Sequence, residues 1–153
     1  MKSLNKPADR AALLRRLERI RPDTQRRWGR MTAPQMTCHL TDSFRGVMGQ
    51  RVSTSASPKL PRWRQRLIKL VALQLPLRWP HGVKTRAEVD QERGGTAPAD
   101  FQNDVAELVR ACHEFATDDR APAPHYLFGP MSREDWGRWG YRHMDHHFRQ
   151  FGV

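Results

Sequence analysis

Apolar residues recur along the chain at helical rather than strand-like spacing. In residues 8–21, Leu13, Leu14, Leu17 and Ile20 fall on one stripe, and Pro7 and Pro22 bracket the segment, which predicts a first helix. A second helix is predicted from Thr32 to about Met48. Thr32 and Gln35 make the capping-box pattern, Pro34 is tolerated because first-turn amides have no helical partner, and Gly49 supplies the stop. Its stripe is Met36, Leu40, Phe44 and Val47, with His39 at the edge. Residues 98–116 give the most regular helix, with Phe101, Val105, Leu108, Val109, Cys112 and Phe115 on one face and His113 at its margin. Ser132 caps a last helix that has Glu134 and Asp135 in its first turn. Trp136, Trp139, His143, Met144, His147 and Phe151 lie broadly on one side of it.

The intervening stretches are less regular. Residues 50–60 read as a polar surface loop, and 117–131 as a loop containing Pro122, Pro124, Gly129 and Pro130. Residues 76–97, with Pro76, Pro80, Gly82, Gly94 and Gly95, read as a long irregular connection of the kind that often carries function. Residues 61–75 form a basic amphipathic stretch, with Trp63, Leu67, Leu70 and Val71 on one side and Arg62, Arg64, Arg66 and Lys69 elsewhere. Such a stretch fits nucleic-acid phosphates or an anionic membrane surface. The reading carried forward is a short helix packed across the bundle with its arginines reaching water. Two helix pairs separated by the 50–97 connection predict an all-α fold, a four-helix bundle with a long crossover containing a short extra helix. A length of 153 residues suits a single domain over 1–153.

Charge and cysteine content change this picture little. The net charge of +11 leaves a nucleic acid or another anion open as a partner, although a solvated basic surface is the preferred reading. No segment approaches the roughly 20 apolar residues of a membrane span, and the N-terminus lacks the apolar core of a signal peptide. A cytoplasmic protein with no membrane partner is therefore expected. A homodimer is left open. Cys38 and Cys112, far apart in sequence, are expected to be buried thiols.

The candidate chemistry lies in His143-Met144-Asp145-His146-His147. A helix advances roughly 100° per residue, so His143 and His147 share a face, one turn apart, and two imidazoles at that spacing can bind one metal ion. His146 points about 100° away from His147 and is assigned to the surroundings of the site. His39, facing the core of the bundle, is the candidate third ligand; a core histidine satisfied by one hydrogen bond is the competing reading. Three imidazoles suit zinc, nickel or iron and leave a coordination position open. Asp42 and Gln150, each one turn from a candidate ligand, could fix the imidazole tautomers. His125 could line the mouth of the cavity. From spacing alone, an aromatic-rich helix with exposed histidines competes with the metal site. No Gly-rich phosphate loop or serine-triad motif is present.

The segment from Trp28 to Asp42 resembles the second-helix signature of the DinB/YfiT-like metalloprotein superfamily, closest to a bacterial branch with no assigned activity. The resemblance continues at Pro80-His81-Gly82-Val83-Lys84-Thr85, Gly94-Gly95-Thr96, Phe128-Gly129-Pro130-Met131-Ser132 and the segment from His143 to Phe151. It departs at His81, where a lysine would precede the glycine. It implies a four-helix bundle with a divalent metal held by His39, His143 and His147. It also implies a metal-dependent enzyme, a thiol transferase or hydrolase. Such an enzyme would activate a low-molecular-weight thiol or water against a small-molecule substrate. The alternative is a non-catalytic metal-binding or nucleic-acid- or anion-binding module related to stress.

Overall fold

Each long helix starts at a residue that satisfies or dispenses with the free amides of a first turn. The computed structural model describes residues 1–55, 60–119 and 124–153. Helix α1, Pro7–Leu17, begins at a proline, which needs no amide partner there. It ends before the predicted Arg21, because the chain tightens after Leu17, with Ile20 N donating to Leu17 O at 2.9 Å. Ile20 is buried all the same. Helix α2, Ala33–Val47, carries the predicted reciprocal cap between Thr32 and Gln35, and Gly49 ends it at φ +72°. Helix α4, Phe101–Thr117, is capped by Asp100. Helix α5, Arg133–Gln150, is capped by Ser132, and Asp135 reaches back to the Ser132 amide at 3.1 Å.

These four helices form the bundle. α2 packs along α4, and α1 packs against α5. The core between them is continuous and includes Leu13, Met36, Leu40, Phe44, Leu108, Cys112, Met144 and Phe148. The segment before α1 also belongs to it. Leu4 is fully buried, and its amide donates to Gly137 O at 3.0 Å. A methyl group at Gly137 would meet Ser3 Oγ at 2.4 Å, so a glycine lets the chain lie against α5 at that point. Cys38 and Cys112 are free and buried, and burial pushes both thiols up to about 12. Among the described residues there is no strand, and an isolated antiparallel bridge joins His125 and Gly129. No described helix is long and apolar enough to cross a membrane. Residues 56–59 of the predicted 50–60 loop, and 120–123 of the 117–131 loop with Pro122, lie outside the described residues.

The crossover differs from its sequence reading in two respects. The extra helix is present as α3, Arg62–Lys69, continued by a wider π-type turn over Leu70–Gln74. However, its apolar side does not pack across the bundle. Ile68 meets the core and Lys69 pairs with Asp135 at 3.0 Å, while Trp63, Leu67, Leu70 and Val71 face outward. The stretch after Trp79 is also more ordered than its prolines and glycines suggest. It contains a 3-10 turn, Ala87–Val89, organised around a buried Glu88. Burial alone would raise the Glu88 carboxyl, but Ser55, Ser53 and Arg86 overcome that and hold it down at about 2. Asp90, beside it, receives Arg30 at 2.5 Å and Arg93 at 2.8 Å. These interactions tie the 3-10 turn to the segments on either side of α2, to Arg30 before it and to Ser53 and Ser55 after it.

Candidate metal centre

The apolar stripe of α2 turns His39 inward, and the stripe of α5 does the same for His143 and His147. His39 and His147 are buried and His143 is partly buried. The three rings meet at the interface, with centroid separations of 5.1 Å for His39–His143, 4.8 Å for His39–His147 and 5.0 Å for His143–His147. One ring nitrogen from each lies within 4.8 Å of the other two.

Two of the rings have assigned proton positions. His39 Nδ1 donates to the Val89 carbonyl at 2.7 Å, so its Nε2 carries the lone pair. His147 Nδ1 donates to Gln150 Oε1 at 3.0 Å, which leaves Nε2 with the lone pair there too. The Gln150 side-chain amide is oriented in turn by donating to Trp28 O at 2.8 Å, while the main-chain carbonyl of Gln150 receives Arg27 N at 2.7 Å. Gly29, at φ +75°, permits this approach, because a Cβ there would lie 2.5 Å from Gln150 Nε2. Sequence reasoning assigned no role to Trp28 or Gly29 in the site, although both fall in the segment that carries the resemblance.

His143 is the exception. Its Nε2 lies 3.1 Å from His39 Nε2, so in this arrangement one proton must sit between them, and it belongs to His143. Its Nδ1 is then buried without a hydrogen-bond partner. The nitrogen of His143 that faces His39 is Nε2, and no acceptor holds its proton on Nδ1, so a cation could take the place of the proton shared between the rings and gather one nitrogen from each of the three histidines.

The electrostatics point the same way. Burial lowers the pKa of His39, although the Val89 carbonyl, Asp42 and Asp90 oppose it. Burial and the neighbouring imidazoles lower His143 well below its ordinary value, and burial followed by His39 does so for His147. All three rings are therefore neutral donors near pH 7. Neutral imidazoles suit borderline divalent cations such as zinc, nickel or iron.

The remaining candidates take other positions. Asp42, expected to fix the His39 tautomer, makes no hydrogen bond to that ring. Its fully buried carboxylate accepts from Thr96 N at 2.7 Å, Thr96 Oγ1 at 2.8 Å and Arg51 at 3.1 Å. The Val89 carbonyl holds His39 instead, and Asp42 reaches the ring only through its charge. Gln150 is placed as expected, against His147. His146 lies outside the group of three. Its ring stands 5.3 Å from His147 and about equally far, 6.1 Å, from Trp28, Trp79 and His81. His81, the departure from the resembling pattern, stacks flat on Trp28 at 4.1 Å. His113 is exposed.

His125 lies outside the group of three. Its turn folds the ring inward onto Phe128 at 4.3 Å, and Nδ1 accepts from the amides of Leu127 at 3.1 Å and Phe128 at 3.3 Å. The Trp139 ring lies 6.0 Å from that of His125 and 5.0 Å from that of His143. Burial, then Arg86, lowers its pKa to about 3. The folded protein thus resists a proton that the unfolded chain accepts near 6.5, so stability is full above that pH and falls as pH drops from 6.5 towards 3. At pH 5.5 this residue should cost on the order of 1 kcal/mol relative to neutral pH. Urea unfolding of wild type and His125→Asn at pH 7.5 and 5.5 should show a pH slope smaller by that amount in the variant.

The profile of a protein family described only as of unknown function, DUF1569, matches residues 11–152. No curated protein and no solved structure matches the chain. The family match covers nearly the whole sequence, both histidine segments and the crossover between them, and the chain belongs to the DUF1569 family.

Proposed function

We propose that His39, His143 and His147 hold a divalent metal ion, and that the chain is a metal-dependent enzyme of the DinB/YfiT-like superfamily, folded as one domain and working in the cytoplasm. The observation that carries this reading is the convergence of three neutral ring nitrogens, two of them with tautomers fixed by acceptors on the far side. When bound by three uncharged ligands, the ion would keep its full charge and lower the pKa of a thiol or water beside it. The protein's own groups supply the rest. Val89 O and Gln150 Oε1 keep protons off the nitrogens that face the site. Trp79, with its ring centroid 6.1 Å from that of His143, and Trp139 at 5.0 Å flank His143 and limit water there. The substrate class proposed is a small electrophile, attacked by a low-molecular-weight thiol or by water.

Metal analysis of the purified protein tests the site. Wild type should carry one ion per chain, and His39→Ala and His147→Ala should lose it. Equal metal content in all three would sink the reading. Gln150→Leu should keep the ligands but weaken affinity by about 10–100-fold, because His147 loses the acceptor that fixes its proton. Turnover of electrophiles that requires an added thiol would favour transfer, and metal-dependent turnover in water alone would favour hydrolysis.

A further inference from the structure

Helix α3 presents an amphipathic face to solvent. None of its residues is buried. Trp63, Leu67, Leu70 and Val71 recur at helical spacing on one stripe and are 62%, 52%, 50% and 40% exposed. The helix is held to the bundle by its other side, through Ile68 and the Lys69 bonds to Asp135 and Pro130 O, both 3.0 Å. Evicting a tryptophan and two leucines into water forgoes the burial that usually organises a short helix.

The charges around this stripe are of one sign. Arg62, Arg64 and Arg66 flank it, and none forms an ion pair among the described residues. Arg64 lies over the Trp63 ring at 5.2 Å. Residues 60–75 contain no aspartate or glutamate. An apolar stripe containing tryptophan, bordered by unpaired arginines, matches the boundary between anionic headgroups and acyl chains. Nucleic-acid phosphates would satisfy the arginines but leave the leucines in water. A second copy docked by a two-fold axis would cover the leucines but oppose like charges, with no carboxylate on the face to offset them. We propose that the outer face of α3 docks the protein on an anionic lipid surface, with Trp63, Leu67 and Leu70 inserted at the interface and Arg62, Arg64 and Arg66 on the headgroups. Peripheral docking needs no spanning segment.

Co-sedimentation with phosphatidylcholine vesicles, with and without phosphatidylglycerol, tests this. Wild type should bind the anionic vesicles and leave the neutral ones. Replacing Arg62, Arg64 and Arg66 together by glutamine should weaken binding about 100-fold, the loss of three surface cations. Leu67→Glu with Leu70→Glu should weaken it roughly tenfold or more while leaving circular dichroism and thermal midpoint unchanged, because both positions are exposed. The proposal is overturned if wild type ignores anionic vesicles at low salt, or if the leucine variant binds them as well as wild type. Duplex DNA binding, or a dimer abolished by Leu67→Glu, found without vesicle binding would overturn it in favour of the other partner.

Discussion

Asp42→Ala should destabilise the protein by about 2–3 kcal/mol, although the residue lies on no apolar face and touches no other charged residue but one. Its carboxylate is inaccessible to solvent and closes a knot between α2 and the end of the crossover. Removing it breaks the bonds from the Thr96 amide and hydroxyl, which lie at an exposed position, and leaves Arg51, about a quarter exposed, without its anion. Arg51 also donates to Glu88 O at 2.7 Å, so the loss spreads to the 3-10 turn that presents the Val89 carbonyl. Asp42→Asn keeps one acceptor and should cost about half as much. Urea unfolding gives both values. Metal affinity should fall in parallel with no ligand altered, and an alanine variant as stable as wild type would refute the role.

The second large effect is expected at Phe44. Its ring is fully buried, 4.9 Å from Phe115 and 6.1 Å from Trp139, and it packs where Gly140 admits it against α5. Phe44→Ala should cost about 3–5 kcal/mol, because the rings around it cannot collapse fully into the space. For a protein of this size, that is a large share of the usual 5–15 kcal/mol. Thermal midpoint should drop by roughly 10 °C. Phe44→Leu should lose much less, since it keeps most of the volume. A drop of only 1–2 °C in the alanine variant would mean that the core there is loose.

Helix starts were legible because capping is local chemistry. Thr32 with Gln35 announces itself within four residues, as does Ser132 ahead of two first-turn acids, although the bond from Asp135 back to the Ser132 amide was not foreseen. His143 and His147 were legible for the same reason, as spacing along one helix. His39 needed a tertiary guess, and the family resemblance made it specific. Longer-range partners were invisible. The Val89 carbonyl meets a histidine 50 residues away in sequence, and no side chain at position 89 reports it. Asp42 was matched to the nearest plausible ring, but three better donors wait across the crossover. The apolar side of α3 was misread because amphipathicity fixes which residues share a face and says nothing about which way that face turns.

The two tautomer-setting contacts differ in kind. His147 depends on a side chain, so a single base change at codon 150 can remove its acceptor. His39 depends on a peptide oxygen, which every amino acid at position 89 would supply. Drift in sequence can therefore erode one half of the donor set quickly. The other half yields only to changes in chain path, such as an insertion or deletion between α3 and α4. Among relatives of this protein, variation at position 150 and variation in crossover length should thus tune the same centre by separate routes.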